Sequence, residues 1–299
     1  MSEILRGGVI GAGVFGGHHA RQYARLPGAV LSAVMDPNPE RAAALAMPLG
    51  GRAFTELDAF LDAVDVVTIA SPAQAHAGQA LAAIAAGKPV YIEKPIAVSL
   101  AESEAIGRAA QAAGVIVACG HQERVLFETI SLFDATERPL RLEAVRHGPP
   151  SPRSLDVSVV LDLMIHDLDL ALTLAGGGTR SVVGEGTVDI ALAQVEFDGG
   201  LVARFDVSRR ADARRRSMKL VYSSGEVEVD FVQQTFRNTT KLALNSAFAS
   251  TPSGQDTLAV SLERFLAAVR GEVEGPLVGV EAAARALGLA LSIEKFLTQ

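Results

Sequence analysis

The sequence predicts an α/β chain: a doubly wound parallel sheet over residues 1–121, then an α+β domain over 122–299 with a predominantly antiparallel open sheet. Two observations carry this expectation. In the first part, short and nearly continuous apolar runs alternate with helical patterns, as in a parallel sheet covered on both faces. In the second, β-patterned runs follow one another through tight turns such as Asp198-Gly199-Gly200 and Ser223-Ser224-Gly225.

Taken in order, the first part reads as strands at 4–10, 29–35, 64–70, 89–92 and 115–119. Helices at 14–26, 39–47, 55–62, 74–86 and 99–113 lie between or beside them. A helix at 122–134 and a strand at 140–147 open the second part, before the turn-rich, poorly periodic stretch 148–153. An apolar helix over 159–172 precedes strands at 180–188, 191–197, 201–209, 217–223, 226–232 and 235–244. Helices at 256–270 and 280–297 close the chain.

The turn after the first strand holds the most informative pattern. Gly11, Gly13 and Gly16 form G-x-G-x-x-G, and Val14 and Phe15 begin the helix that follows. A dinucleotide pyrophosphate needs a tight turn, a backbone it can approach without a Cβ, and close helix–strand packing, one requirement for each glycine. The helix N-terminus then presents free N–H groups and a positive dipole end to the anion. Asp36 ends the next strand twenty residues beyond Gly16. A carboxylate there accepts the ribose hydroxyls and repels a 2′-phosphate, which selects NAD. Arg41 leaves room for NADP.

Ligands of such sheets sit beyond the carboxyl ends of the strands. Three of those ends carry polar residues: Ser71 to His76, Glu93-Lys94-Pro95, and Gly120 to Arg124. Ser71 is suited to cap the next helix, with Pro72 at its first position. An acid and an amine at the mouth of a buried strand would be costly unless they face a cleft. Lys94 is also one of only five lysines among 27 basic residues. On the later helix, Asp162, His166 and Asp169 fall at i, i+4 and i+7 on an otherwise apolar surface, so an unbroken α-helix places them on one face. An aspartate one turn before a histidine is a pairing that orients an imidazole. A structural Asp–His pair in a core is the alternative, and Asp167 projects elsewhere with no evident role.

Composition narrows the function classes. A 299-residue chain with 49% hydrophobic and 20% charged residues has enough apolar material for ample cores. Its net charge of −7 argues against a nucleic-acid-binding surface, and no apolar run approaches a membrane span. A strand begins almost at once, with no secretory-type leader pattern, so the cytoplasm is expected. Cys119 is the single cysteine, which excludes an internal disulfide and a cysteine metal cluster; no metal is expected. Arg209, Arg210, Arg214, Arg215 and Arg216 cluster, and read as a solvated hairpin or oligomer contact more readily than as a diphosphate site.

These motifs together resemble the glucose–fructose oxidoreductase/inositol dehydrogenase (Gfo/Idh/MocA) family. The resemblance rests on GAGVFGGHHA at 11–20, SPAQAH at 71–76, EKP at 93–95 and DLMIHDLD at 162–169, and so spans both parts of the chain. It implies a Rossmann domain that binds NAD(P), and a dehydrogenase acting on CH–OH groups with Lys94, Asp162 and His166 as its catalytic set. Ser71, His76, Glu93 and Lys94 would join Gly11, Gly13, Val14, Phe15, Gly16 and Asp36 at the cofactor. Lys94, Arg124, Asp162 and His166 would meet a sugar or nucleotide-sugar substrate. The stretches 120–124 and 156–160 are similar to the branch that oxidises UDP-N-acetylglucosamine at the 3-hydroxyl, although Val125 stands where an aromatic is common. A free sugar or inositol is the alternative substrate, and an inactive cofactor-binding regulator the alternative of another class. A homodimer or homotetramer is implied, joined through the open face of the second sheet.

Overall fold

The computed structural model describes residues 4–151 and 156–298; Pro152 and Arg153 of the turn-rich stretch lie outside them. The first elements are β1 (Leu5–Ile10), α1 (Val14–Tyr23), β2 (Ala29–Met35), α2 (Pro39–Ala46), β3 (Arg52–Phe54), α3 (Leu57–Asp62), β4 (Val66–Ile69), α4 (Ala73–Ala85), β5 (Val90–Ile92), α5 (Leu100–Ala113) and β6 (Val117–Cys119). There follow α6 (Glu123–Ile130), β7 (Arg141–His147), a π-helical segment Val160–Met164 that runs into α7 (Ile165–Ala175), then β8 (Thr179–Gly186), β9 (Ile190–Phe197), β10 (Val202–Ser208), β11 (Arg215–Tyr222), β12 (Gly225–Asp230) and β13 (Thr235–Asn238). The short α8 (Pro252–Gln255), α9 (Thr257–Val269) and α10 (Val280–Glu294) come last.

The chain forms two compact units, Met1–His121 with Leu258–Ala284, and Gln122–Thr257 with Arg285–Gln299. The first segment of the first unit ends at His121, and the second unit is interrupted by residues 258–284. Leu262, Phe265 and Leu266 of α9 are buried with Tyr23, Leu31, Val34 and Tyr91 in the core of the first unit. Tyr91 and Ser261 share a 2.9 Å hydrogen bond. The residue 258–284 segment goes to the first unit because its apolar stripe completes that core.

The first unit carries an all-parallel six-stranded sheet in the order β3-β2-β1-β4-β5-β6. The order reverses between β1 and β4, which is where such sheets open a ligand crevice. β3 is the strand the sequence does not announce: it has three residues and little burial, so no apolar run marks it. Its helices start where local chemistry dictates. Asn38 Oδ1 accepts from the Arg41 N–H at 3.0 Å with Pro39 at the first helical position, and Ser99 Oγ accepts from the Glu102 N–H.

The second unit carries a seven-stranded sheet, β13-β12-β11-β7-β10-β9-β8, antiparallel except between β7 and β10. Leu142, Ala144, Ala203, Phe205, Met218, Leu220, Val227 and Val229 alternate inward on its covered face. Two predicted elements are shorter than their patterns. α6 ends at Ile130 because Ser131 turns left-handed at φ 70°. β13 ends at Asn238, whose side chain accepts from the Thr240 N–H at 2.8 Å and donates to the Leu242 carbonyl, turning the chain away.

Candidate active site

In the first unit, the loop after β1 assigns each glycine a separate duty. Gly11 has φ 98°, and a Cβ there would lie 2.7 Å from the Ala70 carbonyl oxygen. A Cβ on Gly16 would overlap the Gly11 carbonyl oxygen. Gly13 alone faces open space, with only the Arg41 guanidinium 3.9 Å from an added Cβ. Gly13 is also the N-cap of α1 and offers no side-chain cap, so the first-turn N–H groups beside exposed Val14 and Phe15 are left for a ligand. That is the cradle a pyrophosphate fits.

Asp36 is buried at the end of β2. Its Oδ2 accepts the Ala12 N–H at 2.8 Å and its Oδ1 the Asn38 N–H at 3.0 Å. These bonds lock the carboxylate to the glycine loop, and each oxygen keeps a second lone pair for a ribose hydroxyl. Arg41 Nη2 stands 3.9 Å from Oδ2.

The strand ends of β4 and β5 differ from expectation in two respects. Ser71 does not cap α4: its hydroxyl donates to Gln79 Oε1 at 2.6 Å, and Pro72 occupies the N-cap. His76 is 1% exposed, with Nδ1 2.8 Å from the Pro95 carbonyl and Nε2 3.0 Å from that of Ser71. It therefore braces two strand ends instead of lining a pocket wall, and its burial pushes the imidazole pKa down. Glu93 is also buried, and its Oε1 lies 2.6 Å from His19 Nε2. Lys94 follows at the half-buried mouth of β5, joined to Pro95 by a cis peptide bond.

In the second unit, the two acids of α7, Asp167 and Asp169, take separate settings. The π-helical turn at Val160–Met164 breaks the 3.6-residue spacing that would hold Asp162, His166 and Asp169 on one face. His166 Nδ1 lies 2.7 Å from Glu123 Oε2, so a carboxylate on α6 meets the ring. Asp169 takes a two-pronged ion pair from Arg124, at 2.7 Å from Nε and 2.6 Å from Nη2. Arg124, expected at the substrate, thus commits two of its five donors inside the unit. Asp167, unexplained by sequence, accepts from Arg146 Nε at 3.0 Å and Nη2 at 2.8 Å. Arg146 Nη1 donates to Glu123 Oε1 at 3.0 Å.

Burial opposes ionisation of Glu123, but the charges of His166 and Arg146 outweigh it and hold this carboxyl well below the usual carboxylate range. In the arginine cluster, Arg209 and Arg210 both clamp Asp189. Arg216 lies opposite Arg146 in strand register, where burial and that neighbouring charge pull its pKa down. Among the described residues, no three His, Cys, Asp or Glu side chains gather as a metal ligand set.

Residues 5–121 match the model of an oxidoreductase family with an NAD-binding Rossmann fold, and residues 141–228 match the GFO/IDH/MocA C-terminal domain. The chain belongs to the GFO/IDH/MocA oxidoreductase family. Its first unit is the NAD-binding domain of that family. Over 98% of both chains it is 36% identical to the UDP-N-acetylglucosamine 3-dehydrogenase of Acidithiobacillus ferrooxidans. A solved structure of that enzyme superposes with a TM-score of 0.89 at 33% identity, covering 98% of this chain and 97% of the other. The scyllo-inositol 2-dehydrogenase (NAD(+)) of Bacillus subtilis is 30% identical over 70% of this chain and 68% of its own.

Two residues of the family member's site escape a reading by sequence. His19 sits just past the glycine motif, in a run read there only as helix, and Glu123 sits in a polar stretch that reads as a helix start. Both are near motif residues in sequence, and the partner of each is remote.

Proposed function

We propose that the chain is an NAD-dependent dehydrogenase that oxidises the 3-hydroxyl of UDP-N-acetylglucosamine to a ketone. The observation that carries this reading is the likeness to a 3-dehydrogenase of that nucleotide sugar along the full length of both chains. The inositol dehydrogenases among its relatives favour a second reading, oxidation of an inositol or free sugar.

The chemistry divides among this chain's residues. The glycine loop, the α1 N-terminus and Asp36 hold the dinucleotide, with Ser71, Glu93 and His76 supporting the loops around it. NAD, when bound, supplies the hydride acceptor. His166 takes the hydroxyl proton as the carbinol C–H bond gives up its hydride and the C–O bond becomes a carbonyl, and it later releases that proton to water. Lys94 donates a hydrogen bond to the same oxygen and stabilises the alkoxide charge that develops there. Asp162 and Arg124 orient the sugar.

The test is the absorbance of reduced nicotinamide with purified protein, NAD or NADP, and a panel of UDP-N-acetylglucosamine, free hexoses and inositols. A rise with the nucleotide sugar and NAD supports the proposal. A rise with inositol or hexose alone replaces it with the second reading. Lys94→Ala and His166→Ala should each lower kcat by roughly 10²-fold or more, and turnover within a few-fold of wild type would remove those roles.

A homo-oligomer is part of the same proposal. Val183, Ile190 and Leu192 stand exposed together on the uncovered face of the second sheet, an apolar patch suited to a second copy. Sedimentation of wild type against Leu192→Asp tests it. No helix among the described residues is long and apolar enough to cross a membrane.

A further inference from the structure

We propose that Glu123 fixes the tautomer and orientation of His166, and that Arg146 and Asp167 serve to hold Glu123 for that task. The proposal rests on reading His166 as the proton acceptor, and it moves the orienting role from Asp162 to a residue on another helix.

The geometry forms a closed circuit. His166 Nδ1 is 2.7 Å from Glu123 Oε2. The other oxygen of that carboxylate accepts from Arg146 Nη1 at 3.0 Å. The remaining edge of the guanidinium makes two bonds to Asp167, and Asp167 is the chain neighbour of His166. The loop therefore begins and ends on the same turn of α7 and passes through α6 and the central strand β7. Arg146 and Asp167 side chains are each 2% exposed. The guanidinium carbon also sits 5.8 Å from the Phe231 ring, which stacks on Phe127 of α6.

The circuit sets the proton positions. Arg146 has donors only, so the Glu123 oxygen facing it must accept. An ionised carboxylate accepts at its second oxygen as well, and two lone pairs would repel at 2.7 Å, so the proton belongs on Nδ1. The contact is short, and the carboxylate charge attracts the positive end of the ring N–H dipole. Nε2 is then left with its lone pair, which is what a general base requires. Glu123 also stabilises the imidazolium formed when the substrate proton arrives. An apolar cluster of equal volume would pack this spot without the desolvation cost of three charged groups, so packing alone does not account for the circuit.

Glu123→Gln separates this role from a merely structural one. Arg146 forces the Gln carbonyl toward itself, so the amide NH₂ faces the ring and demands a lone pair on Nδ1. His166 should switch to the Nε2–H tautomer and present a donor where the base is needed. The probe is nitrogen NMR of protein labelled at histidine and free of substrate, with the His166 signals assigned by their loss in His166→Gln. Wild type should show Nδ1–H, Glu123→Gln should show Nε2–H, and Asp162→Asn should keep Nδ1–H. Turnover in Glu123→Gln should fall roughly 10²–10⁴-fold, with NAD affinity within about twofold of wild type. If Glu123→Gln fails to fold, Asp167→Asn loosens Arg146 without touching the ring and should mix the two tautomers.

An unchanged tautomer in Glu123→Gln, or a switch in Asp162→Asn, overturns the proposal. If Glu123→Gln switches the tautomer but His166→Gln retains turnover, the positioning claim stands and the reading of His166 as the base falls.

Discussion

His19 Nε2 lies 2.6 Å from Glu93 Oε1, with both side chains buried, so the helix of the glycine loop is pinned to the residue that precedes Lys94. His19 is three residues past Gly16, and its ring also packs 5.2 Å from that of Tyr91. The pair sets where the α1 N-terminus and the mouth of β5 stand relative to each other inside the first unit. His19→Ala takes a 2.6 Å partner from a buried carboxylate and should cost about 3–5 kcal/mol of stability. Glu93→Gln should cost less, and the double variant less than the sum. Denaturant unfolding of the three variants measures the coupling, and additive effects would show that the pair holds nothing together.

Gly13 and Gly16 should respond in opposite ways to an added side chain. Gly13→Val meets open space, so the fold should keep its melting temperature while NAD affinity falls by roughly tenfold or more, a loss of at least about 1.4 kcal/mol. Gly16→Ala collides with backbone and should destabilise the first unit before any ligand is added. Calorimetric titration beside thermal melts separates the two effects.

Asp36 is the expected source of the preference for NAD. Asp36→Ser should keep an acceptor for the Ala12 N–H, remove the charge that repels a 2′-phosphate, and release Arg41, now 3.9 Å from the carboxylate. The ratio of kcat/KM for NAD over NADP should fall by about tenfold or more. A ratio unchanged by this substitution would place the selectivity elsewhere.

The depressed pKa of Glu123 carries a stability consequence with a definite sign. Its folded value lies below the unfolded one, so its contribution is fully present above the ordinary glutamate range and is lost as pH falls through the folded value. Glu123→Gln should therefore be less stable than wild type at neutral pH, by about 2–4 kcal/mol. The gap should narrow steadily below about pH 4.5. Urea midpoints across that range test it; a gap independent of pH would mean that folding does not shift this carboxyl, and a gap that widens toward low pH would mean that the fold favours its neutral form.

Much of the fold was legible before any coordinates. β2 matches its apolar run residue for residue, and most other helices and strands shift by a few residues, because periodicity and capping are local signals. β3 is too short to carry one. The helix at 159–172 is present, but its π-helical turn depends on packing, and Glu123, which meets His166 Nδ1 from α6, lies on an element that no local spacing links to that face.

The sequence by itself determined the class of fold, the glycine loop, the acid at the end of β2, and the candidate lysine and histidine. Each of these is written in contiguous residues whose spacing has a direct physical meaning. The tertiary structure decided the partnerships: Glu93 with His19, His166 with Glu123, Asp167 with Arg146, and α9 with the first core. Those pairs join residues 21 to 74 positions apart or farther. A charge in sequence shows that some partner is needed, because burying it alone is costly. Only the packing of the elements decides which partners come within about 3 Å.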